Sequence, residues 1–337
     1  MSAAGAAFPI EDASQVAAAR RAAQGLAERL GYSESRAGQV ALIVTELGTN
    51  LAKHARGGQL LLRATEDAEA IEILALDRGP GIPNVTLSQQ DGFSTRGTPG
   101  EGLGAIKRQA DDFQIYTAPS GTAALARIAR ESVTPSPRQP RLEVGAIRVN
   151  APGEQVCGDN WSVFQRDERL VVLVVDGLGH GLSAHDAANA AVAAFQRVRE
   201  RGAAEIIQEV HGALRSTRGA AVAVLVGDLE RQSVRYCGLG NIFGSILVPA
   251  ADGRHQLVSH NGTAGHGTPR IQEFHYPYPA DAILVMHSDG IGRQWDLGAY
   301  PGVRVRHPSF IAGLLFRDFA RGSDDATVVV VKARRRA

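Results

Sequence analysis

The sequence predicts an α+β protein in two units, a two-layer α/β sandwich followed by a layered sandwich of sheets covered by helices. Three observations carry that expectation. Residues 131–141, ESVTPSPRQPR, hold three prolines and no apolar periodicity, which marks a linker. Before it, two helical patterns precede strand-like runs; after it, strand-like runs dominate. A length of 337 residues is about twice the usual span of one domain, so size alone favours two. The expected units are 1–130 and 142–337, joined by the linker at 131–141.

The elements follow from periodicity. Residues 14–30 place Val16, Ala19, Ala23, Leu26, Ala27 and Leu30 on one helical face, ended by Gly31. A second helix starts near Ser35 and repeats Val40, Ile43, Val44, Leu47 and Leu51 at helical spacing. Strands at 59–65 and 70–76 flank an acidic turn. A glycine-rich stretch leads into a short helix at about 103–111, and strands at 113–117 and 122–129 close the unit. Helices on one face of a mixed sheet is the expected packing. In the second unit, strands are expected at 143–149, 161–165, 170–175, 220–226, 234–237, 283–287 and 326–332, with helices at 183–199 and 203–214.

Composition narrows the function. Lys+Arg number 36 against Asp+Glu 35, without the basic excess of a nucleic-acid binder. The one basic cluster, Arg334, Arg335 and Arg336, reads as a solvated tail. Two cysteines, Cys157 and Cys237, form no disulfide framework and suit a reducing compartment. The opening MSAAGAAFPI has no basic residue and no long apolar core, so no secretory signal is expected. The longest strongly apolar run, 170–175, falls far short of the roughly 20 residues of a membrane helix. The expectation is a cytoplasmic protein with no nucleic-acid and no membrane partner.

Three pieces of the first unit suggest nucleotide chemistry. Glu46 and Asn50, four apart, share a helical face about 100° from the apolar stripe. A carboxylate there can take a proton from a hydroxyl, and an amide oxygen can ligate Mg²⁺. Asp77-Arg78-Gly79-Pro80-Gly81 follows the strand IEILAL; an aspartate at a strand end can accept from adenine N6 while glycines let backbone approach a flat ring. Gly97-Thr98-Pro99-Gly100-Glu101-Gly102-Leu103-Gly104 opens a helix, where free N–H groups suit phosphates. Taken singly, each also fits a solvated helix face, an ordinary Pro-Gly turn or a flexible loop.

The second unit sets acids at strand ends. Gly158-Asp159 precedes one strand, LVVLVV runs into Asp176-Gly177, ILVMHS runs into Asp289-Gly290, and Asp324-Asp325 precedes ATVVVVK. In packed antiparallel sheets these carboxylates can converge at one rim, where their repulsion calls for divalent cations. A single Asp-Gly is most often just a turn; four acidic positions at the edges of the most apolar strands suggest a site.

Order and spacing turn these pieces into resemblances. Glu-x-x-x-Asn, then Asp-x-Gly-x-Gly about 27 residues later, a glycine-rich helix start and Gly121-Thr122 resemble the GHKL ATPase/kinase fold, a two-layer α/β sandwich. TELGTNLAKHA, LDRGPGIPN and GTPGEGLGAIKRQADDFQIYTAPSGT resemble its RsbT-like anti-sigma-factor serine kinases over about residues 10–130. That resemblance implies ATP and Mg²⁺ as cofactors, Glu46 as catalytic base and Asn50 as Mg²⁺ ligand. Asp77 would recognise adenine with Gly79, Gly81 and Thr122 beside it, and Gly100, Gly102, Leu103 and Gly104 would wrap the phosphates. The order GDN, VVDGLGHG, SDG and DDATVVVV resembles the PPM-type metal-dependent phosphatases of the SpoIIE and RsbX branch over residues 142–333. It implies an α-β-β-α sandwich in which Asp176 bridges two Mg²⁺ or Mn²⁺ ions with the Gly177 carbonyl. Asp289 and Asp324 would complete the second metal, Asp159 would hold a water of the metal shell, and Asp325 would stand behind the ligands. His180 could act as an acid toward the leaving serine oxygen, but the shared Gly-His-Gly turn favours a role in shaping its loop, while Asn241 and Asn261 resemble loop positions near the substrate groove without an assigned role. Together the two resemblances imply a bifunctional switch enzyme. It would phosphorylate and dephosphorylate Ser/Thr of an RsbS-like STAS-domain antagonist in a sigma-factor or stress-signalling partner-switching pathway. A sigma factor or upstream regulator would be a further partner. The alternative keeps the phosphatase and makes the first unit a non-catalytic ATP-sensing or sigma/STAS-binding module.

Overall fold

In a computed structural model, residues 5–55, 57–65, 67–85, 102–130, 141–249 and 253–334 are described, in two units divided within 131–140. The first unit runs β1 (Ala6–Ile10), α1 (Ala13–Arg29), α2 (Glu34–His54), β2 (Gly58–Ala64), β3 (Ala70–Leu76), α3 (Gly102–Gln109), β4 (Asp112–Ala118) and β5 (Gly121–Ala129). Helix α1 starts at Asp12, whose carboxylate accepts from the Ser14 and Gln15 amides while Gln15 returns a bond to the Asp12 N–H. Ser33 caps α2 through the Arg36 amide. The strand order is β1-β2-β3-β5-β4, and every neighbouring pair is antiparallel. The sheet is therefore not mixed, as its order along the chain suggests; β5 inserts between β3 and β4 and opposes both. Strand β1 has no apolar alternation to announce it and carries Pro9, which an edge strand tolerates.

One face of this sheet holds the core. Leu60 and Leu62, Ile71 and Ile73, and Ala124 and Ala126 alternate along their strands toward Val40, Ile43, Val44 and Leu47 of α2. Ile43 is fully buried, and its truncation to alanine would cost roughly 2–5 kcal/mol. Because this stripe is fixed to the sheet, the orientation of α2 and of its Glu46/Asn50 face is fixed with it.

The second unit comprises β6 (Leu142–Val149), β7 (Asp159–Arg166), β8 (Arg169–Gly177), α4 (Leu182–Val198), α5 (Ala203–Ala213), β9 (Ala220–Asp228), β10 (Ser233–Leu239), β11 (Phe243–Val248), β12 (Gly253–Leu257), β13 (Phe274–Pro277), β14 (Ile283–His287), α6 (Pro308–Phe319) and β15 (Ala326–Ala333). Two antiparallel sheets, β13-β10-β9-β8-β7 and β12-β11-β14-β15-β6, face each other. Strand β8 shows why LVVLVV is apolar throughout. Val171, Leu173 and Val175 pack under α4 and α5, while Leu170, Val172 and Val174 pack against the opposite sheet. Helix α6 covers the second sheet so closely that a side chain at Gly145 would collide with the Ser309 backbone. The result is the expected α-β-β-α sandwich.

Four elements of this unit have no clear periodicity to predict them. Strands β12 and β13 are short edges, GRHQL and FHYP, with little apolar alternation. Strand β11 carries two glycine or serine positions within six residues. Helix α6 is buried on nearly every side, so it has no amphipathic stripe; Pro308 at its first turn and the His307 cap mark its start. Among the described residues no helix is long and apolar enough to cross a membrane.

Candidate active sites

In the first unit α2 acts as the ruler. Glu46 and Asn50 lie half-buried beside its apolar stripe. The first residue of α3 stands directly over them, since a Cβ at Gly102 would lie 3.0 Å from Glu46 Oε2 and 3.8 Å from Asn50 Oδ1. Leu103 and Ile106 anchor α3 in the core, so its N-terminal amides are held at the Glu/Asn pair. Gly104 is buried, and Gly100 lies outside the described residues. About 1.5 Å of rise per residue then carries α2 from Asn50 to Ala55, where Gly79 packs on the helix end at 2.9 Å from Ala55 Cα to its would-be Cβ.

Asp77 is pinned at that end. Its Oδ1 accepts from the Gly79 amide at 2.8 Å and the Thr122 amide at 3.1 Å, and its own N–H donates to the Thr122 carbonyl at 2.9 Å. Oδ2 takes no hydrogen bond from a described residue, which leaves one carboxylate oxygen as acceptor for a ligand. Gly81 has φ +75°, and a side chain there would strike the Ala118 carbonyl; one at Gly121, φ +134°, would strike the carbonyl of Asp77. Thr117, which no sequence pattern singles out, joins the same corner. Its hydroxyl accepts from the Ile82 amide at 2.7 Å and lies 3.2 Å from the Thr122 hydroxyl.

The second unit brings its acids to one rim. Asp159 opens β7 opposite Asp176 at the end of β8, while Asp289 follows β14 and Asp324-Asp325 precede β15. The two sheets are tied together there. Ser288 Oγ donates to Asp159 Oδ2 at 2.6 Å and accepts from the Thr327 amide at 2.9 Å. Asp325 accepts from the Ala151 amide at 2.8 Å and the Gly158 amide at 2.9 Å, so both its oxygens position the loop before Asp159. Its backbone N–H in turn donates to Asp324 Oδ1 at 2.9 Å. Asn241 donates to Asp289 Oδ2 at 2.6 Å, a role its GLGN motif does not disclose. The glycine after each acid has a packing reason: a side chain on Gly177 would collide with the Ala184 carbonyl of α4, and one on Gly290 with the Asp325 carbonyl.

The electrostatics of the rim are unbalanced. Burial, then the charges of Asp159, Asp289, Asp324 and Asp325, pushes the Asp176 carboxyl well above the usual carboxylate range. Burial also raises Asp159, with Asp325 and Asp324 adding to it against the Ser288 hydrogen bond. Asp159 Oδ1 is buried with no hydrogen-bond partner. Among the described residues no three His, Cys, Asp or Glu side chains converge closely enough to form a finished metal cage. The donor set is nonetheless all hard oxygen, a spare buried lone pair included, which suits Mg²⁺ or Mn²⁺. Burial raises the Cys157 and Cys237 thiols, so both stay protonated and outside this chemistry. His180 is exposed, its Nδ1 2.5 Å from Glu154 Oε1 in the loop after β8.

These two arrangements define a histidine kinase-like ATPase fold joined to a PP2C-type phosphatase fold. The histidine kinase-like ATPase domain model matches residues 8–128, and that of stage II sporulation protein E (SpoIIE) matches residues 166–334. The chain belongs to the SpoIIE family through its second unit and to the RsbT-like ATPases through its first. It is 33% identical over 102 residues to the serine/threonine-protein kinase RsbT of Bacillus subtilis (strain 168), covering 30% of this chain and 77% of RsbT. It is 25% identical over 151 residues to the phosphoserine phosphatase RsbX of the same organism, covering 44% of this chain and 75% of RsbX. The crystal structure of RsbX in complex with magnesium superposes with a TM-score of 0.50 at 21% identity, over 57% of this chain and 96% of that one. A chain solved in work titled "The bacterial stressosome: a modular system that has been adapted to control secondary messenger signaling" matches with a TM-score of 0.53 at 29% identity, over 57% of this chain and 99% of that one.

Proposed function

We propose that the chain is a bifunctional switch enzyme: residues 1–130 phosphorylate Ser/Thr of a STAS-domain antagonist, and residues 142–337 remove that phosphate. The observation that carries the reading is the crowding of Asp159, Asp289, Asp324 and Asp325 around Asp176, with an unpartnered buried oxygen on Asp159. Asp176, the Gly177 carbonyl, Asp289 and Asp324 would hold two Mn²⁺ or Mg²⁺ ions. Such ions, when bound, lower the pKa of a shared water and draw charge from the phosphoryl oxygens. Asn241 orients Asp289, Ser288 fixes Asp159, and Asp325 holds the Asp159 loop. In the first unit Glu46 would accept the proton of the attacking hydroxyl, Asn50 would ligate Mg²⁺, and Asp77 Oδ2 would accept from the adenine amine. The α3 amides at Gly102, Leu103 and Gly104 would receive the phosphates.

The kinase and phosphatase names of RsbT and RsbX support both halves of this assignment, and the stressosome relative supports a STAS-type partner in a partner-switching pathway. Linking the two activities raises the effective concentration of each at a common target. The test has two arms. An Asp176→Ala variant, incubated with a STAS-domain protein, Mg²⁺ and radiolabelled ATP, should transfer label to that protein; absence of label would leave the first unit as a binding module. Hydrolysis of p-nitrophenyl phosphate with Mn²⁺ should be abolished by Asp289→Ala, and its survival would remove the rim from the chemistry.

A further inference from the structure

The loop between β8 and α4 leaves the aspartate rim carrying two features that the hydrolytic chemistry does not use. Leu178 and Leu182 are 53% and 67% exposed, on either side of His180. Scattered exposed leucines need no explanation, but Leu178 opens this loop and Leu182 is the first residue of α4, with only Gly179, His180 and Gly181 between them. The loop is also held in place. His180 pairs with Glu154, and Gly181 packs against the same carboxylate, its would-be Cβ 2.9 Å from Glu154 Oε2.

Arg218 stands beside this loop. The Leu178 amide donates to the Gly219 carbonyl at 3.0 Å, and an Arg218 guanidinium nitrogen lies 3.4 Å from where a Cβ of Gly179 would be. The Gly179 carbonyl in turn lies 3.4 Å from the would-be Cβ of Gly158, the residue before Asp159. The turn bearing Arg218 is fixed from both sides. Thr217 Oγ1 accepts from the Gly219 amide at 3.0 Å, His266 Nε2 bonds the Arg218 carbonyl at 2.9 Å, and Gly219 holds φ +79°. Yet the guanidinium is exposed and makes no hydrogen bond or ion pair with a described residue. A braced turn that ends in an uncommitted fork of donors suits a phosphoryl dianion presented at the rim.

We infer that Arg218 and the Leu178/Leu182 pair form a substrate-recognition surface for a phosphoserine flanked by apolar side chains. The arginine receives the phosphate and the leucines receive its neighbours. This rests on the hydrolytic reading of the rim and names the substrate that the rim selects. A charged partner segment would leave both leucines in water and gain nothing from them. Burying each leucine against an apolar neighbour favours the matched segment.

Fluorescence anisotropy on the full chain with Mn²⁺ tests the surface without turnover. The probes are labelled nonapeptides with a non-hydrolysable phosphonate in place of phosphoserine, flanked by two leucines or by two aspartates. The leucine-flanked probe should bind about tenfold tighter. Leu178→Ser combined with Leu182→Ser should erase that preference, and Arg218→Ala should weaken both phosphonates by about tenfold without affecting the plain serine peptide. Equal binding of the two probes by the wild-type chain, or a preference that survives the leucine variants, would overturn the inference. Hydrolysis of p-nitrophenyl phosphate reports the rim separately, and the leucine variants should leave it within about twofold of wild type. Its absence from the wild-type chain would defeat the hydrolytic reading while the peptide preference still decides the surface.

Discussion

The two sites handle carboxylates in opposite ways. In the ATPase unit Asp77 is tied to backbone donors from Gly79 and Thr122, and Glu46 stands apart from it along α2. In the phosphatase unit five acids meet at one rim, and Asp176 feels the charge of four others. The first arrangement is complete as a piece of protein. The second is strained by its own charge and is relieved only by something positive. Neutralising an acid should therefore stabilise the metal-free chain at the rim but not at Asp77, although both changes damage function.

The largest effect expected is at Asp176. Its replacement by alanine should lower phosphatase turnover by more than about a thousandfold. The same variant should melt about 2–6 °C higher than wild type in EDTA at neutral pH, because a buried carboxyl that must take up a proton to fold without metal is gone. Turnover of p-nitrophenyl phosphate and a thermal melt of one sample report both; a lower melting temperature in EDTA would break the contrast between the sites.

Glu46→Gln comes next. It should reduce phosphate transfer from ATP by about a hundredfold or more while leaving ATP affinity within a few-fold, since the amide still fits beneath Gly102 but accepts no proton. Titration calorimetry alongside a transfer assay separates the two quantities.

Ser288→Ala is smaller. It strands Asp159 Oδ2 and the Thr327 amide at the seam between the sheets, at a cost of about 1–3 kcal/mol in denaturant unfolding. An unchanged midpoint would mean that the seam is not closed by this hydroxyl.

Asp77→Asn should have the smallest effect. Its Oδ1 can still cap Gly79 and Thr122, but an amide nitrogen replaces the acceptor at Oδ2, so ATP affinity should fall about tenfold with little change in melting temperature.

Much of this arrangement was legible before any coordinates, and the exceptions have physical reasons. The stripe of α2 and the all-apolar β8 announce themselves because each faces a continuous core. The rim acids were readable because strand ends and Asp-Gly turns are local features. Ser288 and Thr117, and the role of Asn241, were not, because their partners lie 129, 35 and 48 residues away and a lone polar side chain carries no period. Helix α6 was hidden by being buried all round, and the antiparallel sheet of the first unit by β5 returning between two earlier neighbours. Local pattern specifies elements and their faces; the side chains that orient a site are chosen by contacts that only the fold creates.

Anomalous diffraction from crystals of the full chain soaked in Mn²⁺ bears most directly on the rim. Two manganese peaks are predicted, both within about 3 Å of Asp176 oxygens, with Asp289 and Asp324 around the second. Saturating Mn²⁺ with no peak at Asp176 would contradict the account.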